Sequence, residues 1–180
     1  SMSLKHVILG YLSWQPQSGY DLKQIIADSE TLSWSANNNQ IYKALVSLHD
    51  NQFVEKTIIH QDGTPSRHVY SILPAGLEEL KDWMLKTPSP PHSNREILLQ
   101  LMWGDALSPA EIDDLIDRYI NEVGEKLFML RVSADEQPNV PNRTKREAYL
   151  WQMIYKNWIS HFELELRWAR SLKQDLQGIA

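Results

Sequence analysis

The sequence predicts a mainly α-helical protein with one small β-hairpin, built as an N-terminal helix-and-ribbon domain followed by an all-helical C-terminal domain. Three observations carry this. Residues 33–83 read as an Asn-rich helix, two β-branched segments around a glycine turn, and a proline-started helix. Pro88, Pro90 and Pro91 then crowd a short segment and give a stiff, extended connector. Beyond that connector only helical periodicity appears, ending in a long stretch with an aromatic face.

Taken in order, Leu4 to Trp14 has helical spacing through Leu4, Ile8 and Tyr11 or Leu12, and Gln15-Pro16-Gln17 ends it. Ser18-Gly19-Tyr20-Asp21 is a capping pattern, because Ser18 can accept from the backbone of position 21 while Asp21 suits the positive helix end. The helix it opens runs to about Asp28 and buries Leu22, Ile25 and Ile26. The next helix runs from Asn37 to about Asn51. Ile41, Leu45 and Leu48 form its buried stripe, while Asn38, Asn39, Tyr42 and Lys43 face out. Three Asn at a helix start signal capping or a contact surface, since Asn is a poor helix former. Phe53–His60 and Arg67–Ile72 are strand-like, joined by a tip containing Gly63 and Pro65. Pro74 fits the first turn of a helix over Ala75–Lys86 that packs Leu77, Leu80, Trp83 and Met84.

In the second half, a helix is expected over Arg95–Trp103. Ser108-Pro109-Ala110-Glu111 is a capping box opening another helix to about Ser133, residues 135–142 are a loop, and a last helix spans Thr144 to about Leu176. The expected domains are therefore 1–87, a Pro-rich linker 88–94, and 95–180. On the last helix Trp151, Tyr155, Trp158, Phe162, Leu166 and Ala169 share one face. A stripe this broad is expected to pack on its neighbours and on a second copy, forming a homodimer seam. The weaker reading is a Trp/Tyr-lined pocket for a flat apolar effector; the two are compatible.

Composition removes other classes. The 180 residues include no cysteine, which excludes disulfides and zinc–thiolate sites. Histidines 6, 49, 60, 68, 92 and 161 make no i, i+4 pair, so no metal or other cofactor is expected. No nucleophile elbow or phosphate loop is present. The adjacent carboxylates Asp113-Asp114 and Glu78-Glu79 diverge on a helix and read as solvated faces, so an enzyme is not expected. No apolar run approaches ~18 residues and no signal-peptide pattern opens the chain, so a cytoplasmic protein without membrane association is expected. Charge runs against nucleic-acid binding. The chain is net −5, and residues 1–87 hold seven Lys/Arg against nine Asp/Glu, where a basic footprint would be expected.

One group of motifs points to a family. Ile8-Leu9-Gly10-Tyr11-Leu12, Ser18-Gly19-Tyr20-Asp21-Leu22, Trp34-Ser35-Ala36, Gln40-Ile41-Tyr42-Lys43-Ala44-Leu45 with Leu48, Gly63-Thr64-Pro65-Ser66-Arg67 with Tyr70, and Gly76 to Trp83 together resemble the PadR family of bacterial transcriptional regulators. The linker, Arg95 to Leu99, and Leu107-Ser108-Pro109 resemble its longer branch. This resemblance implies an N-terminal winged helix-turn-helix domain, with the Asn-rich helix as recognition helix and the hairpin as wing. It also implies a C-terminal helical dimerisation domain. Tyr42 matches the tyrosine that approaches the DNA backbone, and Arg67 the wing's basic position. Departures are Lys43 where the family usually has Pro, Gln52-Phe53 for Gly-Leu, Leu73-Pro74 for a Leu/Ile-Thr helix start, and His68 for a basic residue.

The resulting expectation is a homodimeric, sequence-specific DNA-binding repressor acting on a pseudo-palindromic operator and answering to a small aromatic or apolar effector. Asn38, Asn39 and Gln40 are the expected base readers, since amides can bond adenine bidentately. Tyr42, Lys43 and Arg67 are the expected phosphate contacts. The alternative is a winged-helix protein-interaction module without DNA binding, which the acidic balance favours.

Overall fold

A computed structural model describes residues 3–29, 38–91, 95–137 and 140–179. The chain forms two compact units, Ser1–Ser89 and Pro90–Ala180. In the first, α1 (Leu4–Trp14), α2 (Gly19–Asp28) and α3 (Asn38–Asp50) surround a core of Ile8, Leu9, Leu12, Leu22, Ile26, Ile41, Leu45 and Leu48, each at most 2% exposed. Ser18 starts α2 as expected, its Oγ accepting from the Asp21 N–H at 3.0 Å. Ile25 is only partly buried.

The hairpin strands are β2 (Val54–Ile59) and β3 (Arg67–Ile72), antiparallel from Val54↔Ile72 to Ile59↔Arg67. The sheet has a third member that the sequence reading treated only as a helix break and cap. Gln17 and Ser18 form β1 and pair with Tyr70 and Val69, giving the order β1-β3-β2. This pins the start of α2 to the centre of the wing.

α3 ends in a Schellman arrangement: the Phe53 N–H donates to the Leu48 carbonyl at 2.9 Å and the Gln52 N–H to that of His49 at 3.0 Å. Gln52 occupies the left-handed position at φ 59°, a conformation costing a side-chain-bearing residue about 1 kcal/mol. Gln52→Gly is therefore expected to stabilise the first unit by roughly 0.5–1 kcal/mol, read as a higher urea midpoint at unchanged slope. A lower midpoint would contradict this reading of the cap.

α4 (Pro74–Met84) begins at Pro74 and stops two residues short of the expected end at Lys86. Its inward stripe is Gly76, Leu80 and Trp83, at i, i+4 and i+7, while Leu77 and Met84 are 47% and 61% exposed and so do not pack as predicted. Gly76 sets this rotation because its missing side chain lets the helix approach the Phe53 carbonyl. A hydrophobic count cannot see an inward-facing glycine. Trp83 stacks on His6 of α1 at 4.9 Å, and His6 Nε2 lies 3.0 Å from Glu79 Oε1, so Glu79 is not merely solvated.

In the second unit α5 (Glu96–Met102) is followed by a 3-10 turn, Gly104–Ala106. Ser108 and Glu111 complete the capping box at 3.2 and 2.9 Å, and those bonds hold the Glu111 carboxyl below its ordinary value. The helix they open, α6 (Pro109–Glu136), outruns the expected Ser133 by three residues. α7 (Lys145–Gln177) is capped by Thr144, whose Oγ1 accepts from Glu147. α6 and α7 run antiparallel, as their ion pairs show: Asp113 and Asp117 meet Lys173, and Arg131 meets Glu163 at 3.8 Å. Asp113 is thus paired across the hairpin, and Asp114 bonds Arg118 at 2.9 Å.

Between these helices lie Ile116, Val123, Leu127 and Leu130 with Tyr155 and Ala169. The one buried carboxylate there, Glu165, accepts from Tyr119 Oη at 2.6 Å and from the Arg95 guanidinium. Burial, then that hydrogen bond, push the Tyr119 phenol well above its ordinary value. Of the aromatic stripe, Tyr155 is 5% exposed and makes an edge contact with Trp158 at 5.7 Å, while Trp151, Trp158 and Phe162 are half-buried.

Candidate nucleic-acid interface

The first turns of α3 carry most of the residues expected to touch DNA. Asn39, Gln40, Tyr42 and Lys43 are exposed; Asn37 and the side chain of Asn38 lie outside the described residues, as does the Trp34-Ser35-Ala36 motif. The exposure follows from the buried stripe, because Ile41, Ala44, Leu45 and Leu48 face the core and turn the intervening positions outward.

Among the described residues, two concave surfaces flank the first turns of that helix. On one side, Tyr42 faces the hairpin across a cleft of about 1030 Å³, lined also by Ser18, Tyr20, Asp21, Pro65 and Arg67. Gly19 makes the approach possible, since a Cβ there would stand 3.1 Å from Tyr42 Cε1. Tyr70 closes the floor; burial, then its neighbour Tyr42, raise its phenol above the ordinary value. On the other side, Gln40, Lys43 and Ser47 share a groove of about 580 Å³ with Ser3, Leu4 and Lys5. The structure therefore brings Tyr42 and Arg67 to one cleft, and sends Gln40 and Lys43 to the other.

The hairpin tip is shaped by its own polar groups. Gly63 takes φ +77°, Thr64 Oγ1 donates to Gln61 Oε1 at 3.0 Å, and His60 Nδ1 lies 3.1 Å from Ser66 Oγ. Arg67 is half-exposed and holds Asp21 Oδ2 at 2.5 Å, which ties the root of the hairpin to the start of α2. An exposed pair of this kind contributes little to stability. It does hold the guanidinium beside Asp21 in the lining of the cleft.

Three features of this surface escaped the sequence reading. Tyr20, 63% exposed, lines the cleft beside Arg67. Lys5 adds a second cation beside Lys43. Asp21 serves both the cap and Arg67. The acids Glu78 and Asp82 stand on α4, which packs against α1 and lines neither groove. The local charge near α3 is thus more favourable than the domain total. Among the described residues no cluster could hold a metal ion, and no helix is long and apolar enough to cross a membrane.

Comparison with known proteins follows these two units. Residues 8–82 match the model of the transcriptional regulator PadR-like family, and residues 94–177 match that of the virulence activator alpha C-terminal domain. The negative transcriptional regulator PadR of Bacillus subtilis is 30% identical over 134 residues, 74% of either chain. A probable transcriptional regulator of Mycobacterium tuberculosis is 33% identical over 114 residues, 63% of this chain; the match spans just over half of that protein, 56%. The crystal structure of B. subtilis PadR in complex with operator DNA superposes with a TM-score of 0.82 at 25% identity, covering 96% of this chain and 98% of that one. The same regulator crystallised with p-coumaric acid gives 0.77 at 23% identity over 97% and 98% of the two chains, a likeness of fold.

Proposed function

Because the chain belongs to the PadR-like family of transcriptional regulators, we propose that it binds operator DNA as a homodimer and represses transcription in the cytoplasm. It is a regulator and not an enzyme. The observation that supports this reading best is the exposed first half of α3, flanked by a Tyr42–Arg67 cleft on one side and Lys5 with Lys43 on the other. A recognition helix needs that arrangement: base edges before it and phosphates to either side.

In this reading residues 1–87 are the DNA-binding domain, 88–94 the linker and 95–180 the dimerisation domain. Asn38 and Asn39 are the base readers, joined by Gln40 from the edge of its groove. Tyr42, Lys43 and Arg67 hold phosphates. The half-buried Trp151, Trp158 and Phe162 support the dimer seam, because one copy leaves them partly uncovered. Two α3 helices then reach successive major grooves of a pseudo-palindromic site about one turn apart. An aromatic acid of the class held by the Bacillus regulator is the effector we assign to the seam. Its differential affinity for one setting of the two domains would release the DNA.

Phosphate contacts can be tested one at a time. Lys43→Ala and Arg67→Ala are each expected to weaken binding to all DNA sequences alike. Each should also reduce the slope of log affinity against log salt by about two, one contact per subunit. Unchanged slopes would remove both residues from the interface.

A further inference from the structure

α3 carries an outward stripe of which the two flanking grooves account for Lys43 alone. Asn39, Lys43, Val46 and Asp50 recur at i, i+4, i+7 and i+11, diametrically opposite Ile41, Ala44, Leu45 and Leu48. Tyr42 and Gln40 stand to the sides, each in its own groove. A helix seated in a major groove presents its pole to base edges and its sides to the backbone. At that pole stands one apolar side chain, Val46, and it is 57% exposed.

We propose that Val46 contacts the 5-methyl group of a thymine in each operator half-site, making it a specificity-determining residue. The proposal rests on the DNA-binding reading above. The major groove offers one apolar feature, the thymine methyl, and valine has no donor or acceptor with which to read any other base edge. Isolated exposed apolar residues are common on protein surfaces, so position carries the argument. Val46 borders neither groove, and a β-branched residue is a poor choice for a solvated helix face. One turn further on, Asp50 repels phosphate and keeps the C-terminal end of the stripe out of the groove. Val46 is then the last position of α3 to reach bases. At about 1.5 Å rise per residue it lies roughly 10 Å beyond Asn39, or about three base-pair steps along the groove.

The test pairs a protein change with a DNA change. The full-length protein and its Val46→Ala variant are titrated against the operator, against a scrambled duplex, and against operators in which each thymine in turn is deoxyuridine, which lacks the methyl. Alanine is the better helix former, and circular dichroism confirms that the variant is folded. The expected result is that one thymine per half-site, replaced by deoxyuridine, lowers wild-type affinity about three- to tenfold and leaves Val46→Ala unaffected. Selective operator binding in which every replacement affects both proteins equally overturns the proposal and leaves the regulator reading standing. Equal binding to operator and scrambled duplex overturns both.

Discussion

Gly76→Ala is expected to destabilise the first unit by about 3 kcal/mol, lowering its melting temperature by roughly 10–20 °C. Helix propensity alone predicts the opposite sign, since alanine in place of glycine within a helix ordinarily gains about 1 kcal/mol. The reversal comes from one contact. A Cβ on Gly76 would lie 2.2 Å from the Phe53 carbonyl oxygen and 2.8 Å from Ile72 Cγ1. That carbonyl also accepts the Leu73 N–H at 2.9 Å, so it cannot retreat without breaking the bond that joins the hairpin to α4. The obstacle is backbone, and no rotamer change relieves it. Thermal unfolding followed by circular dichroism decides the sign; a neutral or stabilised variant would mean that α4 sits further from the hairpin than described.

Arg95→Ala is expected to cost the second unit about 2–3 kcal/mol, because it leaves the Glu165 carboxylate buried with only the Tyr119 hydroxyl as partner. The figure sits below that for a fully enclosed pair, since the Arg95 side chain is itself 37% exposed. Arg95 also carries a cost of its own, its Nε being buried without a hydrogen-bond partner. Replacing the whole cluster, as Arg95→Met with Tyr119→Phe and Glu165→Leu, should therefore recover most of the loss or exceed the parent. Denaturant midpoints of the two variants give the comparison. A single substitution as benign as the triple one would show that the carboxylate finds water and is not enclosed.

What could be read from the residues divides along one physical line. Local signals were legible: the caps at Ser18 and Ser108, the Ile41-Leu45-Leu48 stripe, and the two hairpin strands each depend on neighbours within a few positions. Long-range geometry was not. β1 is two residues long, too short to show a period, and exists only because Tyr70 and Val69 pass beside it. The Arg67–Asp21, His6–Glu79 and Arg95–Glu165 pairs join positions 46, 73 and 70 residues apart, and nothing near either partner announces the other. For the interface, the exposed start of α3 was legible, whereas the placing of Lys5 and Tyr20 beside it needed the fold. The acidic balance of residues 1–87 misleads for the same reason: it counts Glu78 and Asp82 on α4, which line neither groove.

Selective DNA recognition by the α3 surface is the central claim. Its most direct test is fluorescence anisotropy of the full-length protein with the DNA immediately upstream of its own gene, against a scrambled duplex, over several salt concentrations. The expected result is binding to the upstream DNA at least a thousandfold tighter than to the scrambled duplex, weakening steeply as salt rises. Equal binding to both, or affinity indifferent to salt, would contradict it.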